Sequence, residues 1–114
     1  MKRPLDDEAR LRHILQAIDY LEEFMAGKTK NDLYTEPMLR FAVERQLEII
    51  GEAANRLSDQ LKAGYADTEW RKIVAFRNFV AHEYFGIDLN LVWDIVQNKI
   101  KPLRATILMI LGEE

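Results

Sequence analysis

The segment Arg77-Asn78-Phe79-Val80-Ala81-His82-Glu83-Tyr84 carries the side chains of this sequence that are best suited to chemistry. Arginine stays charged and binds phosphate oxygens in a fork. Histidine, with an unperturbed pKa of about 6.5, can act as an acid or a base near neutral pH. These residue types predict a site for phosphate chemistry, with Arg77 and His82 as catalytic residues and Asn78 in a supporting role.

Cleavage of RNA through its own 2′-hydroxyl fits such a pair without a metal ion. The reaction needs a base for the hydroxyl proton, an acid for the 5′-oxygen leaving group and positive charge for the phosphorane. One histidine cannot hold both proton-transfer roles in a single step. Two copies of the chain that meet at this segment would supply two histidines and two arginines. The chemistry therefore predicts an endoribonuclease site that is completed in a homodimer.

The elements that must position this segment are predicted to be helices. Apolar residues recur at helical spacing, and no stretch alternates like a strand. A first helix over about 5–26 should end at Gly27, followed by a polar loop over 28–32. Thr35-Glu36-Pro37 should start a second helix, which runs to about residue 62. The buried stripe predicted for it consists of Leu39, Val43, Leu47, Ile50, Ala54 and Leu57.

The third helix should carry the chemistry. It is expected to start with Asp67 or Thr68 as its N-cap and to stop near residues 85–86. Ile73, Phe76 and Val80 share one sector of this helix and predict its core-facing side. Asn78 and His82 share nearly the opposite sector, with Ala75 and Phe79 beside it. On an ideal helix Arg77 and His82 lie about 140° apart.

Asp88 should cap a fourth helix, and Pro102 should break or restart the chain before a last helical stretch over 103–111. The predicted architecture is an all-α, up-and-down bundle of four to five helices. Gly51 lies inside the second helix, where it costs about 1 kcal/mol relative to alanine. A close helix crossing would explain it.

Composition limits the classes of protein. The 114 residues, 48% of them apolar, predict a single domain over residues 1–114. The chain has no cysteine, which excludes disulfides and thiolate metal sites. Its net charge of −3 argues against non-specific coating of nucleic acid, so positive charge would have to be concentrated at the site. Residues 1–8 lack the apolar region of a secretory signal, and we expect a cytoplasmic protein.

The segment from Arg77 to Tyr84 resembles the R-x4-H-x-Y motif of the HepT branch of HEPN domains. Ile49-Ile50-Gly51-Glu52-Ala53-Ala54 and Tyr84-Phe85-Gly86-Ile87-Asp88 are similar to that branch as well, and the likeness covers nearly the whole chain. The resemblance implies a HEPN-like fold and a metal-independent endoribonuclease toxin that works as a homodimer and needs no cofactor. Its RNA substrate could be tRNA or mRNA.

The resemblance also implies a partner, a minimal nucleotidyltransferase antitoxin. In this family the antitoxin can transfer AMP from ATP to the motif tyrosine, which is Tyr84 here. A phosphodiester-linked AMP next to His82 would block the cleft and repel RNA phosphates.

Other interpretations of the sequence stay open. The chain could be a non-catalytic helical subunit that docks on a nucleotidyltransferase or is its substrate, or a purely structural dimerisation bundle. Glu44, Glu48 and Glu52 are interpreted as a solvated face, or as partners of Arg45 and Arg56, rather than as a metal site, and Glu52 could support the site helix. His13 is expected to be exposed. Trp70 and Trp93 are expected to be core or interface anchors.

Overall fold

The computed structural model describes residues 5–78 and 88–112, and every regular element within these ranges is helical. The helices of the first range are α1 (Leu5–Met25), α2 (Lys30–Thr35), α3 (Pro37–Asn55), α4 (Asp59–Gly64) and α5 (Trp70–Val74), which is followed by a 3₁₀ turn (Ala75–Arg77). The second range holds α6 (Leu89–Asp94), a π-helical segment (Ile95–Lys99) and α7 (Ile100–Leu111). The predicted all-α bundle is confirmed.

The core lies where α1 packs against α3 and α7. The side chains that are fully buried there are Leu11, Ile14, Ile18 and Leu21 of α1, Val43, Leu47 and Ile50 of α3, and Ile107 of α7. Burial of each such side chain contributes about 1.5–3 kcal/mol. The stripe predicted for the second helix is buried throughout, although its last member, Leu57, follows the end of α3. Trp70 is buried, and Trp93 is partly buried against the core.

Helix α1 ends as predicted, since Gly27 follows it with a φ of +72° that favours glycine. The predicted loop over 28–32 is wrong, because α2 begins within it. Thr29 and Asp32 form a capping box, in which Thr29 Oγ1 accepts from the Asp32 N–H and Asp32 accepts from the Thr29 N–H.

The predicted second helix starts at Pro37 but does not reach residue 62. It ends at Asn55, and α4 starts separately with Ser58 as its N-cap. The Ser58 N–H and hydroxyl both donate to the buried Asp7 carboxylate, at 2.8 and 2.6 Å. This contact places the start of α1 next to the end of α3, so the two helices run antiparallel.

One further prediction near a helix end is wrong, because the N-cap of α5 is Glu69, rather than Asp67 or Thr68. Pro102 lies in the first turn of α7, which agrees with a restart of the chain there rather than a break, although α7 begins at Ile100 instead of residue 103. Its missing N–H falls in the first turn of α7, where few donors are needed. The preceding π segment makes a wider turn, in which the Ile100 N–H donates to the Ile95 carbonyl.

The expected cap at Asp88 is confirmed, because its side chain accepts from the N–H groups of Asn90 and Leu91. None of the described helices combines the length and the apolarity that a bilayer span requires.

Candidate active site

Arg77 is positioned by α5 and the 3₁₀ turn, whose apolar side chains are buried against the core. The indole N–H of Trp70 donates to the Tyr65 carbonyl at 3.1 Å, which holds the start of α5. Ile73 and Phe76 are 8% and 7% exposed, so the predicted core-facing side is confirmed for these two residues. Arg77 follows directly at the end of the 3₁₀ turn, and its side chain is 35% exposed.

Gly51 lets the backbone of Arg77 approach α3 closely. A Cβ atom at Gly51 would lie 2.6 Å from the Arg77 nitrogen and 2.8 Å from the Val74 carbonyl oxygen. Real Cβ atoms do not occur at such distances from backbone atoms. The close crossing predicted from this glycine is confirmed, and it fixes the Arg77 backbone against α3.

Glu52, the next residue of α3, contacts the side chain of Arg77. Its Oε1 lies 3.4 Å from Arg77 Nη1, and Glu52 is 48% exposed. A pair this exposed contributes roughly 0–1 kcal/mol, so it orients the guanidinium more than it stabilises the fold. A single contact through Nη1 leaves other guanidinium N–H groups able to bind a phosphate oxygen. Glu52 therefore contacts the segment that it was expected to support, and the supporting role itself stays a prediction.

The described part of the motif ends at Asn78, an exposed residue whose N–H donates to the carbonyls of Ala75 and Phe76. His82 and Tyr84 lie outside the described residues, as do Phe79 and Val80. The structure therefore brings together Arg77, Asn78 and Glu52, and the predictions for His82 and Tyr84 stay predictions.

The third helix was predicted as one regular α-helix, and this is wrong at the site. The chain changes from α to 3₁₀ over Ala75–Arg77, where the backbone tightens to about three residues per turn. This turn ends at Arg77, and the angle of about 140° predicted between Arg77 and His82 depends on residues outside the described range, so it stays a prediction. The residue types at 75–77 give no signal of the change.

Glu44 also differs from its prediction, because it is only 4% exposed rather than solvated. It lies seven residues before Gly51, which places the two about 20° apart on α3. Glu44 therefore shares the side of α3 that crosses the 3₁₀ turn. Glu48 pairs with Arg45 at 2.6 Å, which confirms the pairing predicted between these two residues.

No group of histidine, cysteine or acidic side chains within the described ranges is arranged to hold a metal ion. A groove of about 650 Å³ lies on the other side of α5, where that helix faces α6 and α7. Ile73, Phe76, Ile95 and Leu103 line it. This apolar lining suits acid–base chemistry on phosphate less well than the surface around Arg77.

Comparison with known proteins identifies the family. The model of the family described as "Ribonuclease HepT-like" matches residues 14–110. The chain belongs to the HepT-like ribonuclease family. The chain is 35% identical over 105 residues to the "Probable ribonuclease HepT" of Thermococcus cleftensis, covering 92% of this chain and 94% of that protein. It is 34% identical over 104 residues to a "Putative RNase" of Caldanaerobacter subterraneus, covering 91% of this chain and 93% of the relative.

A third relative is longer. The chain is 37% identical over 108 residues to the "Gamma-glutamylcyclotransferase and putative RNase" of Methanocaldococcus jannaschii. The match covers 95% of this chain but 49% of that protein, so this chain spans about half of it. No solved structure matches the chain significantly.

Proposed function

We propose that this HepT-like protein is a metal-independent endoribonuclease, the toxin of a toxin–antitoxin pair, which cleaves RNA at a site shared by two copies of the chain. The observation that supports it best is the position of Arg77. The close crossing at Gly51 fixes its backbone, and Glu52 holds its side chain by one nitrogen at the surface. A fixed, partly exposed guanidinium is what a phosphate in a transition state requires.

In the proposed reaction the 2′-hydroxyl oxygen attacks the adjacent phosphorus. A histidine removes the hydroxyl proton, and the bond from phosphorus to the 5′-oxygen breaks. A second histidine protonates that oxygen, which leaves a 2′,3′-cyclic phosphate and a 5′-hydroxyl. We assign these proton transfers to the two His82 side chains, one from each copy. Arg77 would stabilise the negative charge on the phosphorane, and Asn78 would supply a supporting hydrogen bond.

The test is cleavage of single-stranded RNA by purified protein in the presence of EDTA. We expect His82→Ala and Arg77→Ala each to lower the rate at least about a hundredfold, the range for loss of a general acid–base or of a charge-stabilising group. Arg71→Ala is the matched control, since Arg71 is an exposed arginine of α5, and it should cleave like the wild type. Equal cleavage by wild type and His82→Ala would refute the role of His82.

The proposed antitoxin is a minimal nucleotidyltransferase that modifies Tyr84. The tyrosine oxygen would attack the α-phosphorus of ATP, form a phosphodiester to AMP and release pyrophosphate. Intact mass after co-expression with an active transferase should rise in AMP steps for the wild type and not for Tyr84→Phe. If unmodified protein binds the transferase but cuts no RNA between about pH 5 and 9, the chain is a binding subunit instead.

A further inference from the structure

A second charged surface lies beside the candidate site, in a groove between the first half of α1 and the second half of α3. The groove has a volume of about 440 Å³. Its polar lining consists of Arg10 and His13 from α1 and of Arg45, Glu48, Glu52 and Arg56 from the α3 side. The antiparallel packing of the two helices brings these residues together, although they are more than 30 positions apart in the chain.

The groove is lined by more arginine side chains than pair with its two carboxylates. Glu48 is paired with Arg45, and Glu52 is paired with Arg77, which lies outside the groove. No ion pair joins Arg10 or Arg56 to a carboxylate within the described ranges. The groove therefore presents two guanidinium groups and the exposed imidazole of His13, on a chain whose net charge is −3. This is positive charge concentrated in one place.

The groove is continuous with the surface of Arg77. Glu52 lines the groove and also contacts the guanidinium of Arg77. An extended anion with a phosphate at Arg77 would therefore meet the groove next. Arg10 and Arg56 come from opposite walls, which suits a ligand that lies between α1 and α3. Ile49 and Ala53 add an apolar surface between the charges.

We propose that this groove binds the backbone phosphates of the RNA strand that flank the scissile bond, with Arg10 and Arg56 as the main contacts. The proposal rests on the proposed ribonuclease function and adds a substrate-binding surface to it. An acidic peptide could also pair with guanidinium groups. A strand of phosphates is favoured because the groove leads to Arg77, where the proposed reaction takes place at a phosphate.

The first test measures binding without cleavage. A fluorescent single-stranded RNA of about 12 nucleotides, 2′-O-methylated throughout, lacks the attacking hydroxyl but keeps every phosphate. We expect Arg10→Gln/Arg56→Gln to weaken its binding at least about tenfold. The slope of log K against log salt should fall by about 1.4, because each phosphate contact on a single strand contributes about 0.7.

The controls separate charge from folding. Arg56→Lys keeps the charge and should retain most of the binding, while Arg71→Gln removes an exposed arginine outside the groove and should bind like the wild type. Circular dichroism melts confirm that each variant is folded. An unchanged salt slope for the double variant would overturn the proposal, and so would tighter binding of poly-glutamate of equal charge than of the RNA.

The second test separates this groove from the catalytic site. A dinucleotide contains the scissile bond but has no flanking phosphates, so the double variant should cleave it at the wild-type rate. With the long RNA, its KM should rise about tenfold while kcat stays near that of the wild type. If the wild-type protein cuts neither the dinucleotide nor the long RNA, the proposed ribonuclease function is refuted. The binding assay still tests whether the groove binds RNA phosphates. If the double variant cleaves the long RNA with the KM of the wild type, the proposed role of the groove is refuted while the ribonuclease function stands.

Discussion

At the scale of single residues, Gly51 links the stability of α3 to the position of Arg77. In most helix interiors, replacing glycine with alanine gains about 0.5–1 kcal/mol. Here the added methyl group would meet the Arg77 nitrogen at 2.6 Å and a carbonyl oxygen at 2.8 Å, and backbone atoms cannot rotate away. We expect Gly51→Ala to lower the free energy of unfolding by about 1–3 kcal/mol, the usual cost of overpacking, and to reduce RNA cleavage by displacing Arg77.

Gly64 provides the matched control, since a Cβ atom there would meet nothing within 4 Å. Gly64→Ala should change the free energy of unfolding by less than about 1 kcal/mol and leave cleavage unchanged. Chemical denaturation and the EDTA cleavage assay measure both effects. If Gly51→Ala proved as stable and as active as Gly64→Ala, the close crossing would not matter for the site.

At the scale of elements, the junction between α1 and α4 depends on one buried carboxylate. Asp7 is 1% exposed and accepts from the Ser58 N–H and hydroxyl, while Ser58 Oγ accepts from the Leu61 N–H. Asp7→Ala would leave the partly buried Ser58 donors without this acceptor, which costs about 1–3 kcal/mol. Asp6→Ala, at an exposed position in the same turn, should cost less than about 0.5 kcal/mol. Urea denaturation of the two variants compares them, and equal losses would contradict the role of Asp7.

The capping box of α2 should make stability depend on pH. The backbone N–H of Thr29 donates to Asp32 and is the main cause that lowers the pKa of its carboxyl from 3.8. A lowered folded pKa means that this stabilisation is present above about pH 4 and is lost as the pH falls through the folded pKa. Asp32→Asn should therefore melt at a lower temperature than wild type at pH 7, and the gap should close below pH 3.8. Asp59→Asn, also in a first helical turn, is the control. If the difference in melting temperature between Asp32→Asn and wild type stays constant with pH, the ionised Asp32 carboxylate is not its cause.

Helices with a clear apolar spacing or cap residue could be predicted from the sequence. Helix ends and burial that depend on contacts between residues far apart in the chain could not. The apolar stripe of α3 and the cap at Asp88 follow from local spacing and residue type, and both are confirmed. The end of α3 depends on Asp7, which contacts Ser58 from the far end of α1. The burial of Glu44 and the 3₁₀ turn before Asn78 are not revealed by any local pattern. The contact between Glu52 and Arg77 could be anticipated from the sequence, because Gly51 indicated a close helix crossing at this point.

At the scale of the whole molecule, the distribution of charge matters more than its sum. The net charge of −3 indicated that positive charge must be local. The groove with Arg10 and Arg56 meets that requirement, and it could not be read from the sequence because its two walls come from distant helices. Arg45 and Arg77 pair with the groove's two carboxylates and thereby leave the other cations free for an anion.

The proposed dimer predicts that an inactive copy should inactivate its partner. If one cleavage event needs His82 from both chains, a mixed dimer of wild type and His82→Ala cannot complete both proton transfers. After equal amounts are unfolded and refolded together, random pairing leaves half of the wild-type chains in mixed dimers, so activity per wild-type chain should fall by about half. A tenfold excess of the variant should reduce it by about ten-elevenths, whereas co-refolding with Arg71→Ala should not reduce it. Activity per wild-type chain that is independent of added His82→Ala would show that each chain cleaves with its own histidine, and sedimentation of a monomer at micromolar concentration would exclude the shared site altogether.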